Sequence, residues 1–237
     1  MGKHDIETGN GGQLYPNMME SPELRWAFIR KVYTILSMQF VLTAVVAGLI
    51  VFIRPFAWFM VSTPLGFGLY ITIVVLSVIS VLVLACFKNK HPLNFFLLMI
   101  FTVCIAFTVG MACAFTKGEI ILEAAILTGT VFVSLTLYTF WAAKRGHDFN
   151  FLGPFLFAAL LVLMVFGFIQ FFFPLGKVSM MIYGGLAALI FSAYIIYDTD
   201  NLIKRHSYDD YIWAAVSLYL DIINLFMAVL SLLRVLE

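Results

Sequence analysis

Hydropathy along the chain falls into seven apolar runs separated by short polar breaks: residues 31–53, 67–87, 93–115, 120–143, 151–173, 178–203 and 210–234. Each is close to the ~20 apolar residues that carry a helix across a bilayer. The breaks hold residues that stop or start helices. Pro55 and Pro64 bracket the first, and Lys88-Asn89-Lys90-His91-Pro92 forms the second, with Pro92 suited to a first helical turn. Lys117-Gly118, Lys144-Arg145-Gly146-His147 and Pro174-Leu175-Gly176-Lys177 follow. Ser207-Tyr208-Asp209-Asp210 fits a capping box that opens the seventh run. The pattern predicts an all-α polytopic membrane protein, a seven-transmembrane-helix bundle over residues 25–237. Residues 1–24 are polar and rich in Gly and Pro, which predicts a disordered cytosolic tail. They contain no h-region, so a cleavable signal is not expected. Gly2 does not make a myristoylation site, because Ile6 stands where that motif wants Ser or Thr.

Composition agrees with the pattern. Of 237 residues, 63% are hydrophobic and only 11% charged, more apolar than a soluble core requires. Mean hydropathy is +1.03. The net charge of +1 gives no basic footprint for nucleic acid. Phe is abundant but scattered, as core and lipid-facing mass. Cys86, Cys104 and Cys113 all fall in apolar runs, where buried free thiols are expected rather than disulfides or a metal site.

The distribution of Lys and Arg sets the expected orientation. Ten of them fall in the N-terminal tail and in the even-numbered breaks; Arg54, Lys117, Lys177 and Arg234 fall on the other side. The N-terminus is therefore expected in the cytosol and the C-terminus in the lumen or outside. A re-entrant seventh segment, which would return the C-terminus to the cytosol, is the alternative.

Two carboxylates stand out because charge is costly in a bilayer, about 2.5–3.5 kcal/mol at a helix centre on insertion scales. Asp221 lies deep in the seventh run and Asp198 near the end of the sixth. At about 100° per residue, Ala214, Ser217, Asn224, Ala228 and Ser231 fall within about 80° of Asp221. Tyr219, Ile223, Phe226 and Leu230 lie opposite. Small and polar residues favour close helix packing, so Asp221 should point into the bundle. Gly184, Ala187, Phe191, Tyr194 and Asn201 share the face of Asp198, whereas Asp200 lies about 200° away and near headgroup water. Asp198 is the better partner for Asp221, although flush helices would place the two at different depths. If they meet, they cannot both ionise comfortably and would share one proton as a coupled pair. If they do not, each would bond separately to a Ser, Tyr or Asn.

Ser217, Tyr194 and Asn224 are secondary candidates. So are Glu119 and Glu123, which suit a helix N-terminus or a cation-attracting vestibule. His147 and Asp148 read as a helix cap. Asp198 and Asp221 would hold Ca2+ only weakly and transiently, because that ion takes six to eight oxygens and conduction requires weak sites.

Five segments resemble the LIFEGUARD branch of the transmembrane Bax-inhibitor-motif family. They are RWAFIRKVYTILSMQFVLT (25–43), HPLNFFLLMIFTVCIAFTVG (91–110), YTFWAAKRGHDFNFLGPFLF (138–157), IIYDTDNLI (195–203) and LYLDIINLF (218–226). The short polar tail is similar to that of plant members. The resemblance implies a seven-helix bundle in the endoplasmic reticulum or another endomembrane. It also implies a Ca2+ leak gated by protons, suppression of cell death, and no enzymatic activity or cofactor, Ca2+ being only the permeant ion. The family's acidic pair maps onto Asp198 and Asp221. Bacterial relatives use an arginine in the second helix to latch that pair; no basic residue lies between Phe67 and Phe87 here.

Three other readings compete with the leak. A non-transporting scaffold would bind receptors or death regulators through its cytosolic loops. An intramembrane aspartyl protease would want Gly-x-Gly-Asp, where Leu218-Tyr219-Leu220-Asp221 stands. A proton-coupled transporter would be expected to show an inverted repeat, and none is evident.

Overall fold

The structure is a computed structural model that describes residues 22–88, 90–173 and 175–237. The polar tail and Gly2 lie outside the described residues, except that Pro22 already opens the first helix. Eight α-helices follow in order: α1 Pro22–Phe52, α2 Arg54–Ser62, α3 Pro64–Phe87, α4 Leu93–Ala114, α5 Gly118–Lys144, α6 Leu152–Phe172, α7 Lys177–Lys204 and α8 Tyr211–Leu236. All except α2 are long and apolar enough to span a membrane. The bundle expected from the hydropathy pattern is therefore the fold observed.

The first break differs from expectation. It is not a loop between two prolines but the nine-residue helix α2, with Pro55 in its first turn, where a missing N–H costs nothing. Thr63 then ends α2 and caps α3: its Oγ1 accepts from Gly66 N at 3.0 Å. Around α2 the side chains of Phe52, Phe56, Trp58 and Phe59 are exposed, an aromatic girdle of the kind found at a membrane–water boundary.

α8 is the central helix. It packs against α1, α4, α5 and α7, while α3 lies outside α4 and α6 outside α7. Both faces of α8 are consequently covered. The small and polar stripe meets α7, and the bulky stripe meets α1, α4 and α5. On that second side the Tyr219 and Thr43 hydroxyls sit 2.8 Å apart, and Gln39 Nε2 donates to Thr102 Oγ1 at 3.0 Å. α8 runs unbroken for 26 residues, about 39 Å, which is long enough for a full span.

The connections sort to two ends. Lys88 pairs with Asp210 at 2.9 Å, Lys204 donates to His147 O, and Arg25 Nη1 donates to His206 O at 2.6 Å. These bonds gather the start of α1 and the α3–α4, α5–α6 and α7–α8 connections at the basic end. Lys117 pairs with Glu237 at 3.0 Å at the opposite end. The expected thiol burial holds for Cys104 and Cys113; Cys86 is instead exposed on the outer face of α3.

Candidate functional site: an acidic pair between α7 and α8

The α7–α8 interface is close because small residues line it. A Cβ on Gly184 would lie 3.3 Å from Ala228 O and 3.1 Å from Leu232 Cγ, so α7 approaches the α8 backbone where Gly184 faces Ala228. Further towards the basic end, the Asp198 and Asp221 carboxyls face each other within hydrogen-bonding reach. Asn201 lies beside Asp198, and Tyr194 lies within electrostatic range of both acids. Asp221 is 6% exposed and Asp198 keeps a partly exposed side. Two carboxyl groups this close can hydrogen-bond only if one carries a proton, and two ionised groups would repel.

The depth mismatch is resolved in the connection. Asp198 lies about 9 Å from the end of α7 and Asp221 about 15 Å into α8. The difference is taken up by residues 205–210, where a 3-10 turn (Tyr208–Asp210) carries the chain outward before α8 turns in. The expected capping box opens that turn: Ser207 N and Oγ both donate to Asp210 Oδ2, at 3.3 and 2.7 Å.

The secondary candidates are placed less centrally. Asn224 Nδ2 donates to Leu220 O at 2.8 Å, back onto its own helix. Among the described residues no hydrogen bond joins Ser217 to the pair. Glu119 and Glu123 are exposed on the outward face of α5, away from the acids. Among the described residues no cation forms an ion pair with Asp198 or Asp221, and no third His, Cys, Asp or Glu joins them.

Asp200 corrects the expectation that it reaches headgroup water. It is wholly buried, paired with Lys204 at 2.5 Å and with Arg205 at 2.9 Å, and its Oδ2 accepts from Phe149 N at 3.2 Å. Asp148 does not cap α6. It accepts from Asn150 N at 2.9 Å and pairs with Arg205. The local sequence explains why the α5–α6 loop is available. Gly146 adopts φ 86°, with Gly146 N bonded to Ala143 O and His147 N to Ala142 O. This Schellman cap ends α5 and turns His147 O towards Lys204. α7 and the α5–α6 loop are thus locked together one turn beyond Asp198. Sequence reading missed this lock because it counted Lys204, Arg205 and Arg25 as orientation charges. The i, i+4 spacing of Asp200 and Lys204 was the available signal.

The lock has a pH sense. Burial pushes the His206 imidazole down; Asp210 opposes that shift, and the Arg25 and Lys88 charges add to it. Slight burial disfavours an ionised Asp148, but Arg205, Asn150 N–H and Lys204 outweigh it and hold this carboxyl below its usual range. Both groups bind protons more readily unfolded than folded, so stability rises with pH. The His206 contribution is present above the ordinary value of about 6.5 and is lost as pH falls below it. The thermal midpoint of the purified protein is expected to drop between about pH 7.5 and about pH 5.5. His206→Asn should remove most of that drop; a drop of unchanged size would assign it to other groups.

Residues 25–237 match the family described as "Inhibitor of apoptosis-promoting Bax1". The chain is 62% identical to Protein LIFEGUARD 4 of Arabidopsis thaliana over 99% of its own length and 96% of that protein's. It is 37% identical to Protein lifeguard 4 of Mus musculus, covering 90% of this chain and 87% of the relative. A Golgi anti-apoptotic protein of vaccinia virus (strain Lister) is 36% identical, over 91% and 88% respectively. With a family match over nearly its whole length and relatives this similar, the chain belongs to the Bax-inhibitor family, in its LIFEGUARD branch.

Proposed function

We propose that this protein is a proton-sensitive cation leak of an endomembrane, with Ca2+ as the permeant ion, and that it restrains cell death as the names of its relatives indicate. One observation carries the reading: two carboxyls in the membrane-spanning interface of α7 and α8 face each other within hydrogen-bonding reach, and among the described residues no cation pairs with either. Protonation of the pair keeps the interface closed through the shared hydrogen bond. Ionisation of both at higher pH sets like charges against each other and loosens α7 from α8. Two carboxylates offer four oxygens, too few to trap Ca2+ and suited to passing it on. The Golgi name of the viral relative supports an endomembrane.

The pair acts here as a switch and not as a catalytic dyad. Asp221 lies within a continuous buried helix and is preceded by Leu218, Tyr219 and Leu220, which leave no opened backbone for a peptide substrate. Purified protein in liposomes with an entrapped Ca2+ dye tests the reading. Flux that rises with pH supports the leak, and absence of flux at every pH returns the protein to the scaffold reading, in which cytosolic loops bind partner proteins.

The topology belongs to the same proposal. The N-terminus is expected to be cytosolic and the C-terminus lumenal, since the basic end gathers the start of α1 and Glu237 lies at the other. Protease protection of tags at the two termini checks this. A C-terminal tag cleaved from the cytosolic side would overturn it.

A further inference from the structure

A second site lies on the far side of α8 from the acidic pair. A crevice of about 690 Å3 opens between α1 and α5, with α8 and the end of α4 as its floor. This volume is in the range that holds a ligand, about 300–1,000 Å3. On α1 it runs from Phe52 to Phe40, about 18 Å, which is close to one leaflet of the ~30 Å hydrocarbon core. Apart from Thr43 and Thr128 its wall is apolar, and the Thr43 hydroxyl is bonded to Tyr219. The opening is made by missing side chains: Cβ atoms added at Gly48 and Gly129 would meet nothing within 4 Å.

We propose that this crevice is a phospholipid site, taking one acyl chain of the non-cytosolic leaflet behind the α1–α5 gap, with the lipid phosphate at Arg234. The hydrocarbon chain is the occupant that the depth, length and wall chemistry select, because within the bilayer an apolar space open to the side is filled by lipid rather than water. The charge at its outer end completes the match. Arg234 is exposed, lies within electrostatic range of Cys113 on the crevice wall, and forms no ion pair among the described residues. Lys117, by contrast, is engaged by Glu237. Glu119 and Glu123 lie on the other side of α5, about 130–180° from the crevice face, and do not repel a phosphate there. A chain in this position wedges α1 from α5 and presses on Ile222, Ile223 and Phe226 of α8. The site stands independently of the leak reading.

The test uses the full chain in lipid nanodiscs containing a phosphatidylcholine with a photoreactive diazirine near the end of one acyl chain. After illumination, label is expected to concentrate on residues 40–52 and 118–132. Gly48→Leu with Gly129→Leu should cut that label by about fivefold or more while leaving label on the outer face of α6 unchanged. Should that double variant fail to fold, Ala44→Phe, on the exposed lip of the crevice, serves for the same comparison. Arg234→Gln should lower crevice label about threefold at equal lipid concentration. Label spread over α3 and α6 in proportion to exposure, or crevice label that survives filling, would overturn the site. Label indifferent to Arg234→Gln would overturn the phosphate assignment.

Discussion

Asp221→Asn is expected to leave a slow leak whose rate changes by less than about twofold between about pH 6 and about pH 8, where the parent rises about tenfold. Asn keeps the shape of the side chain, and its amide can donate to Asp198, so the interface retains a hydrogen bond at every pH. What disappears is the second charge. Two like charges about 4 Å apart repel by ~4 kcal/mol at an effective dielectric near 20, and water entering the interface reduces this. Even a third of that is about tenfold in an opening equilibrium. Asp198→Asn should act in the same way, and the double variant should add little, because either change alone removes the repulsion. Asp200→Asn should keep the parent's pH response, since Asp200 points at Lys204 and Arg205 and not at the pair. Liposome flux at equal protein insertion measures all four. A parent-like pH response in Asp221→Asn would leave the pair without the role proposed, and a response removed by Asp200→Asn alone would move the sensor to the basic end.

Much of this architecture is legible in the chain because a bilayer simplifies the reading. A spanning segment must be long, apolar and internally hydrogen-bonded, so hydropathy and breaker residues place seven helices to within a few residues. α1 is the exception: it starts at Pro22, not near residue 31, because Arg25 and Arg30 read as loop charges. Arg25 is in fact wholly buried, with Nη1 on Leu202 O and His206 O. The Asp198–Asp221 juxtaposition follows from helical periodicity, since small and polar neighbours mark the packed face of each helix. Periodicity says nothing about depth, and the offset supplied by the Tyr208–Asp210 turn could not be read from it. Asp200 was misplaced for a related reason. Facing away from Asp198 near the helix end was equated with reaching headgroup water, but α7 is covered by α8, by α6 and by α5 with its following loop. A polar residue on the second covered face looks in sequence like one on an exposed face. Glu119 and Glu123 show the reverse case, as the start of α5 has only one covered face and both acids lie on the other.

Lys204→Met is expected to destabilise the fold by about 3 kcal/mol. Lys204 is 2% exposed and Asp200 is fully buried, so solvent does not screen the pair. Removing one member of a buried ion pair costs about 3–5 kcal/mol, chiefly because the other charge stays buried. Arg205 at 2.9 Å still offsets part of the Asp200 charge, which places the expected value at the low end of that range. The methionine also loses the ammonium that Lys204 gives to His147 O, so the α5–α6 loop loses one of its bonds to α7. The double variant Asp200→Asn with Lys204→Met provides the diagnostic comparison. It removes both charges, and the Asn side-chain oxygen can still accept from Phe149 N. It should therefore recover most of the stability lost in Lys204→Met, since a buried pair replaced as a whole is often neutral. Thermal midpoints in one detergent at about pH 7.5, where His206 is neutral, give the ordering. If Lys204→Met loses less than about 1 kcal/mol, the buried pair does not anchor the end of α7. If the double variant is as unstable as Lys204→Met, the loss comes from the bond to His147 and not from the charge left behind. In either case the destabilised variants should retain the pH response of flux in the surviving folded protein, because the lock sits one turn beyond Asp198 and leaves the acidic pair untouched.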